Sequence, residues 1–339
     1  QSTWGDCRVL SSVLTERSLM AERVCVTGGS GCIGSWLVSH LLQRGYSVHA
    51  TVQNLNDEKE VLHLEALEGA TNNLRLFQID LLDYASIAAA IHGCVGVFHL
   101  ASPCTVDNVH DPQKELLDPA VKGTMNVLTA AKEKGVNRVV VTSSISAIIP
   151  NPSWPADAVK NEDCWTDEQY CKDNGLWYPL SKTQAEKAAW EFSREHDLDV
   201  VVVNPGTVLG PVISPTLNAS MGMLLRLLQG CNEIYKDYFM GCVHFKDVAM
   251  AHLMAYENLS AEGRHLCVEA ISQYGDFAAK VKELYPEYNV PVLPKETQPG
   301  LKRAEDGGKK LIEMGLAFAP MDQIIKDAVS SLKINGYIT

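Results

Sequence analysis

The sequence lacks a long hydrophobic run and is poor in basic residues. No apolar stretch in its 339 residues approaches the roughly 20 that a membrane-spanning helix needs. The pattern of a signal peptide, a basic segment followed by an apolar one, is also not found. Lys and Arg number 29 against 41 Asp and Glu, a formal net charge of -12, which excludes a broad basic surface for nucleic acid or anionic lipid. We therefore expect a cytoplasmic protein whose partner is a small molecule, and neither nucleic acid nor a membrane.

The sequence also lacks a cysteine pattern that would bind metal. Its ten cysteines form neither a CxxC pair nor a Cys/His cluster at zinc-ligand spacing, so no metal is predicted and reduced, mostly packed thiols are expected. Residues 1–19 do not join the pattern that follows, and we interpret them as an extension or a vector remnant. A transit peptide is the alternative, which Asp6 and Glu16 disfavour.

From residue 22 onward, short apolar runs alternate with helical patterns. That alternation is typical of a parallel sheet with helices on both faces. It predicts strands at 23–27, 47–52, 74–78, 96–100, 138–142 and 200–204, and a first helix over 32–44 that ends at Gly45. The expected fold is α/β, a doubly wound parallel sheet of the Rossmann type. Residues 20–204 would bind nucleotide and carry the catalytic groups, while 205–339 would form mainly a smaller substrate lobe, with segments returning to the core.

A glycine string lies between the first predicted strand and helix. Gly28, Gly31 and Gly34 are spaced GxxGxxG, where side chains would keep a pyrophosphate away from the backbone amides and the helix N-terminus. Such a string is weak evidence alone, but directly after the first strand it predicts a dinucleotide site. Ser30, Cys32 and Ile33 complete the predicted contacts there.

The end of the second strand predicts which dinucleotide binds. An acidic residue there would bind the ribose hydroxyls of NAD and repel a 2′-phosphate, and residues 51–54 contain no carboxylate. NADP(H) is therefore predicted, with Gln53, Asn54 and Lys59 as donors to the phosphate, although Lys59 could be an ordinary solvated helix residue. Asp80 and Leu81, after the third strand, would bracket the adenine; Asp80 could equally cap a helix.

A tyrosine and a lysine four residues apart indicate the chemistry. Tyr178 and Lys182 share a helical face. A free phenol has a pKa of about 10, so a tyrosine that exchanges a proton near neutral pH needs a nearby positive charge. Lys182 would supply that charge and hold the nicotinamide ribose. Residues 139–144 form an apolar strand that ends in two hydroxyls, and Ser144 could hydrogen-bond a substrate carbonyl, with Ser143 as a strand-end cap.

Other strand ends extend the predicted cofactor site. Each contact would lie at the carboxyl edge of the sheet, where open α/β sheets bind ligands. His99 is expected to be a packed structural residue rather than a base. The further predicted cofactor contacts are Leu100, Ala101, Ser102, Thr142, Pro205, Thr207 and Val208.

These motifs together resemble a known family. The glycine string and the segments 97–103, 141–144, 161–165, 178–182 and 204–208 are similar to those of extended short-chain dehydrogenases, and more narrowly of the plant cinnamoyl-CoA reductase and dihydroflavonol reductase group, over about residues 20–335. The resemblance implies Ser144, Tyr178 and Lys182 as the triad, hydride delivery from NADPH, and Tyr178 as proton donor in the reductive direction.

Two departures from the family concern the substrate. True cinnamoyl-CoA reductases carry Lys-Asn-Trp-Tyr-Cys-Tyr-Gly-Lys where this chain has Asn-Gly-Leu-Trp-Tyr-Pro-Leu-Ser-Lys at 174–182, and dihydroflavonol reductases have Asn or Asp where this chain has Ile149. The resemblance is then nearest to short-chain cinnamyl alcohol dehydrogenases, which predicts reversible conversion of cinnamaldehyde-type phenylpropanoid aldehydes and alcohols. The alternatives are hydroxycinnamoyl-CoA thioester reduction and a nucleotide-sugar epimerase or dehydratase.

A flat phenylpropanoid would need a mostly apolar pocket with a few polar anchors. Segments near the carboxyl edge supply candidates, several of which could be plain core. We expect a monomer or a homodimer. The predicted substrate contacts, besides Ser144 and Tyr178, are Ile145, Ile149, Trp154, Leu209, Met221, Met223 and Tyr238.

Overall fold

The computed structural model describes residues 22–104, 109–155, 159–231, 239–292 and 307–339. The predicted extension, residues 1–19, lies outside them. The strands are β1 Arg23–Thr27, β2 Ser47–Val52, β3 Leu74–Gln78, β4 Gly96–His99, β5 Arg138–Thr142, β6 Asp199–Pro205, β7 Thr207–Leu209, β8 Phe239–His244, β9 Gly263–Cys267 and β10 Ala270–Gln273. The helices are α1 Cys32–Gln43, α2 Glu58–Glu65, α3 Ala70–Asn73, α4 Tyr84–Ile91, α5 Asp118–Glu133, α6 Glu168–Asp173, α7 Trp177–His196, α8 Ala219–Leu228, α9 Phe245–Glu257, α10 Tyr274–Leu284, α11 Lys309–Glu313 and α12 Met321–Ile334.

A seven-stranded sheet forms the centre of the molecule. Its order is β3-β2-β1-β4-β5-β6-β9, and every neighbouring pair is parallel. Alternate residues of β1 face opposite layers: Val24 and Val26 join one apolar cluster, whereas Cys25 joins the other. Residues of α1 and α9 pack in the first cluster, and residues of α4, α5 and α7 in the second. The predicted doubly wound α/β fold is therefore confirmed.

Several predicted boundaries were wrong by one residue. Helix α1 ends at Gln43, and Arg44 is its C-cap; Gly45, with φ of 84°, follows in the left-handed region that ends many helices. Strand β4 ends at His99, so Leu100 already belongs to the loop. Strand β6 extends one residue further at each end than predicted.

Four strands in the second half of the chain were not predicted. Strand β9 is the edge strand of the main sheet, and β10, β8 and β7 form a separate three-stranded sheet in that order. Strand β9 was not predicted because Arg264 and His265 interrupt its apolar pattern, although both side chains are buried. The division of the chain near residue 205 stays a prediction. Among the described residues, no helix has both the length and the hydropathy for crossing a bilayer.

Candidate active site

The carboxyl ends of the parallel strands gather the predicted residues on one edge of the sheet. The loop after β1 lies between those after β2 and β4, because β1 pairs with both strands. The chain runs outward in opposite directions on the two sides of β1, which is where doubly wound sheets have a ligand-binding crevice. The fold thus brings the loops after β1 to β6 to one edge.

The glycine turn after β1 fits a dinucleotide. Gly28 has φ of 71°, and a Cβ placed there would lie 3.0 Å from the backbone nitrogen of Ala101. A Cβ at Gly34 would lie 2.1 Å from the Gly28 carbonyl oxygen, so no larger residue fits. Helix α1 starts after Gly31 with no side-chain cap and no acidic residue in its first turn. Its free amides and dipole are therefore available to a phosphate group.

The structure brings to the end of β2 a carboxylate that the sequence argument did not consider. Glu60 lies in the first turn of α2, which Asp57 caps through the Lys59 amide. Its Oε2 accepts hydrogen bonds from the backbone nitrogen of Gln53 at 2.6 Å and of Asn54 at 3.4 Å. The hydroxyl of Ser30 donates to the same oxygen at 3.4 Å. The backbone amides of Gln53 and Asn54, two of the three residues predicted as phosphate donors, are thus engaged by Glu60, whereas the Lys59 amide bonds Asp57. Sequence reasoning missed Glu60 because only residues adjacent to the strand were considered.

Asp80 and Leu81 follow β3 as predicted. The carboxylate of Asp80 accepts from the Leu82 amide at 2.8 Å, whereas Asp83 caps α4 through the Ala85 amide at 3.0 Å. The alternative that Asp80 caps a helix was therefore wrong. Contact of Asp80 and Leu81 with adenine stays a prediction.

Tyr178 and Lys182 lie on the first two turns of α7. Pro179 is in the first turn, where a missing amide hydrogen costs no helical bond. The Lys182 Nζ lies 5.8 Å from the centroid of the Tyr178 ring. Burial lowers the pKa of Lys182, whereas Cys104 and Glu186 shift it upward. Within the described part of the chain, no side chain or carbonyl accepts a hydrogen bond from this ammonium group, so its donors are available to cofactor hydroxyls.

The two hydroxyls at the end of β5 have different environments. Ser144 caps a 3₁₀ turn, Ile145–Ala147, and its Oγ accepts from the Ser146 amide at 3.1 Å, which leaves its hydrogen free to donate. Ser143 instead donates to Glu186 at 2.5 Å. Its predicted role as a strand-end cap is thus replaced by a buried hydrogen bond to helix α7.

A buried ion pair connects this loop to α7. Arg264, on β9, donates through Nε to Glu186 at 2.5 Å, and both side chains are less than a tenth exposed. The Arg264 guanidinium also reaches the carbonyls of Ala147 at 3.2 Å and Glu162 at 2.7 Å. Asn204 donates to Glu186 at 2.9 Å and to the Ser144 carbonyl at 3.2 Å. Because removing one partner of such a pair leaves a buried charge, at a cost of about 3–5 kcal/mol, this network holds the serine loop firmly against α7.

His99 is packed in the interior, as expected. Its ring nitrogens pair with the hydroxyls of Thr27 at 2.9 Å and Thr124 at 3.1 Å. Burial, and then the nearby charge of Lys182, lower the pKa of His99 to about 3. A neutral, fully hydrogen-bonded imidazole cannot serve as a base here, so it positions the loop after β4.

Thr142 is engaged by a second buried histidine. His252 donates through Nδ1 to the Val248 carbonyl at 2.7 Å, and burial lowers its pKa to about 4. Its Nε2 is therefore an acceptor, and the Thr142 hydroxyl donates to it at 2.6 Å. A cofactor contact through the Thr142 hydroxyl would therefore have to use the lone pairs of its oxygen.

The predicted substrate residues are dispersed. Ile145 and Ile149 are half-buried beside the serine loop, in a cluster with Leu266 and Val268. Leu209 and Met221 have no exposed surface, and Met223 and Val208 have little, because all four lie in the main core. Trp154 is 37% exposed, and Tyr238 lies outside the described residues. Their contact with a substrate stays a prediction, as do the cofactor contacts of Pro205, Thr207 and Val208.

Comparison with known proteins places this geometry among reductases. The chain is 44% identical over 318 residues to cinnamoyl-CoA reductase 2 of Medicago truncatula, covering 94% of this chain and 93% of that protein. Vestitone reductase from alfalfa superposes with a TM-score of 0.79 at 35% identity, covering 93% of this chain and 99% of that one. A yeast methylglyoxal/isovaleraldehyde reductase in complex with NADPH gives a TM-score of 0.79 at 26% identity, covering 93% of this chain and all of that one.

These relatives test the expectations from the sequence. The resemblance to the plant cinnamoyl-CoA reductase group is confirmed, as are the oxidoreductase class and NADP(H) as cofactor. Three of the matched relatives, two from Medicago truncatula and one from Petunia hybrida, are named cinnamoyl-CoA reductases, and none of these three is named an alcohol dehydrogenase. The NAD dependent epimerase/dehydratase family matches residues 24–268, more than half of the molecule. The chain therefore belongs to the NAD dependent epimerase/dehydratase family.

Proposed function

We propose that this protein reduces a cinnamoyl-type carbonyl group. Tyr178 is the proton donor, Lys182 stabilises its phenolate, and Ser144 hydrogen-bonds the carbonyl oxygen. The observation that carries the proposal is the buried Lys182 ammonium group 5.8 Å from the Tyr178 ring, on the helix that packs against the 3₁₀ turn capped by Ser144. The glycine turn after β1 would hold NADPH, which would supply the hydride when bound. The protein supplies the proton and the charge that stabilises the reduced oxygen.

Each side chain has a distinct role in this reaction. No described residue accepts the hydrogen of the Ser144 hydroxyl, which would donate it to the carbonyl oxygen as negative charge develops there. Tyr178 passes its phenolic proton to the same oxygen. The Lys182 ammonium stabilises the phenolate that remains and holds the ribose hydroxyls, which orients the nicotinamide ring.

The substrate we propose first is a hydroxycinnamoyl-CoA thioester. Its support is the relative from Medicago truncatula, which is named a cinnamoyl-CoA reductase. Hydride would add to the thioester carbon and the Tyr178 proton to its oxygen, which gives a hemithioacetal. The hydroxyl proton would then pass to the sulfur as the carbon–sulfur bond breaks and the carbonyl re-forms. One NADPH and one proton are consumed, and the products are an aldehyde, the CoA thiol and NADP⁺. A cinnamaldehyde is the second candidate, favoured by Pro179 and Ser181 in the segment 174–182. Its reduction would add hydride to carbon and a proton to oxygen, giving the alcohol.

Parallel assays with feruloyl-CoA, cinnamaldehyde and dihydroquercetin distinguish these substrates. We expect NADPH oxidation with feruloyl-CoA, accompanied by one free thiol per NADPH oxidised, as a thiol reagent would measure. Turnover of cinnamaldehyde alone would replace the thioester by the aldehyde as substrate. Turnover of dihydroquercetin alone, or of none of the three, would contradict the proposed substrate class. A cytosolic location, the absence of nucleic acid partners and a monomeric or homodimeric state are also proposed.

A further inference from the structure

The carboxylate of Glu60 occupies the end of β2, where nucleotide-binding sheets recognise the adenosine ribose. Its Oε2 accepts hydrogen bonds from the backbone amides of Gln53 and Asn54 and from the hydroxyl of Ser30, at 2.6–3.4 Å. Ser30 belongs to the glycine turn, so this oxygen bridges the first and second strand ends. An acidic side chain at this position accepts hydrogen bonds from the ribose 2′-hydroxyl and repels a 2′-phosphate.

The neighbouring residues of the chain do not offset the negative charge of Glu60. Residues 53–63 contain three carboxylates, Asp57, Glu58 and Glu60, against one cation, Lys59, and no arginine. His63 lies nearby, but burial lowers its pKa. A phosphate that carries about two negative charges near neutral pH would meet net negative charge at this strand end.

We propose that Glu60 determines how the protein discriminates between NADP(H) and NAD(H), and that the wild-type protein binds both. The proposal rests on the dinucleotide site of the proposed function and deepens it. NADP(H) binds only when the Glu60 carboxylate moves away from the Gln53 and Asn54 amides, which then donate to the 2′-phosphate. NAD(H) leaves Glu60 in place and gives it a hydroxyl donor.

Calorimetric titration with NADP⁺ and NAD⁺ tests this directly, without reference to turnover. The Glu60→Gln variant keeps an amide oxygen that accepts from Gln53 but loses the charge. We expect it to bind NADP⁺ about tenfold more tightly and NAD⁺ a few-fold more weakly than the wild type. The matched control is Glu58→Gln, which removes a charge from the same helical turn at an exposed residue with no contact to Ser30 or Gln53. It should shift the ratio of the two dissociation constants by about twofold or less.

Three outcomes would overturn the proposal. The first is an unchanged ratio in Glu60→Gln, and the second is an equal change in both variants, which would indicate only overall charge. The third is wild-type protein that binds NADP⁺ but shows no NAD⁺ binding. Failure of the proposed carbonyl reduction would appear differently, as turnover that does not depend on Tyr178 while nucleotide binding is normal.

Discussion

Replacing Tyr178 with phenylalanine is expected to lower kcat by about 10³-fold while leaving the dissociation constant of NADP⁺ within about twofold of the wild-type value. The phenol is the only proton donor that the account assigns to the carbonyl oxygen. Tyr178 is half-buried on the first turn of α7, and its ring faces Lys182, so the phenyl ring can keep the same packing. Steady-state kinetics together with nucleotide titration measure both quantities.

The control for this variant is Tyr170→Phe. Tyr170 is also half-buried and lies on α6, the short helix that precedes α7. It should retain kcat within about twofold, since surface-proximal changes away from the site are usually small. Comparable losses in both variants would mean that disturbed packing, and not the missing proton donor, lowered the rate.

Replacing Lys182 with methionine is expected to have the second-largest effect, a fall in kcat of about 10²-fold with a several-fold rise in the KM for NADPH. Methionine keeps the apolar stem that is buried in α7 but removes the ammonium group. The wild-type group is only 5% exposed and has no acceptor among the described residues, so its charge is directed at the site rather than used in a structural ion pair. Loss of both the charge and the ribose contact should therefore reduce rate and cofactor affinity together.

Lys187→Met provides the comparison on the same helix. Lys187 is exposed and pairs with Glu168 at 2.6 Å, an interaction of the kind that contributes little to stability. Kinetic constants close to the wild-type values are expected for it. If Lys182→Met behaved in the same way, the ammonium group could not be part of the machinery.

The central sheet could be predicted well because most of its strands are short runs of β-branched and aliphatic residues. Strands β2, β3 and β5 have the bounds that their β-branched and aliphatic runs predict. The glycine turn and the tyrosine–lysine pair were equally accessible, since both depend on spacing within one turn or one helix. Features whose partners are adjacent in the chain could be found without the fold.

Long-range partners were not accessible in this way. Arg264 pairs with Glu186, which is 78 positions earlier. It lies on β9, a strand whose polar residues interrupt the apolar pattern by which strands are predicted. Glu60 lies only seven residues after Gln53, but it reaches the end of β2 through the turn at 54–57 that precedes α2, and residues 51–54 contain no carboxylate. Leu209 and Met221, predicted as substrate contacts, pack in the main core, since apolar residues near a sheet edge are needed both for the core and for an apolar pocket. Their contact with a substrate stays a prediction.

The central claim is that Ser144, Tyr178 and Lys182 converge on one carbonyl group beside the nicotinamide. A crystal structure of the protein with NADP⁺ and a bound cinnamaldehyde tests it most directly. We predict that the Tyr178 hydroxyl and the Ser144 hydroxyl both lie about 3 Å from the carbonyl oxygen, with the Lys182 ammonium on the ribose hydroxyls. A carbonyl oxygen bound out of hydrogen-bond reach of both hydroxyls, with the nicotinamide ordered nearby, would contradict the account.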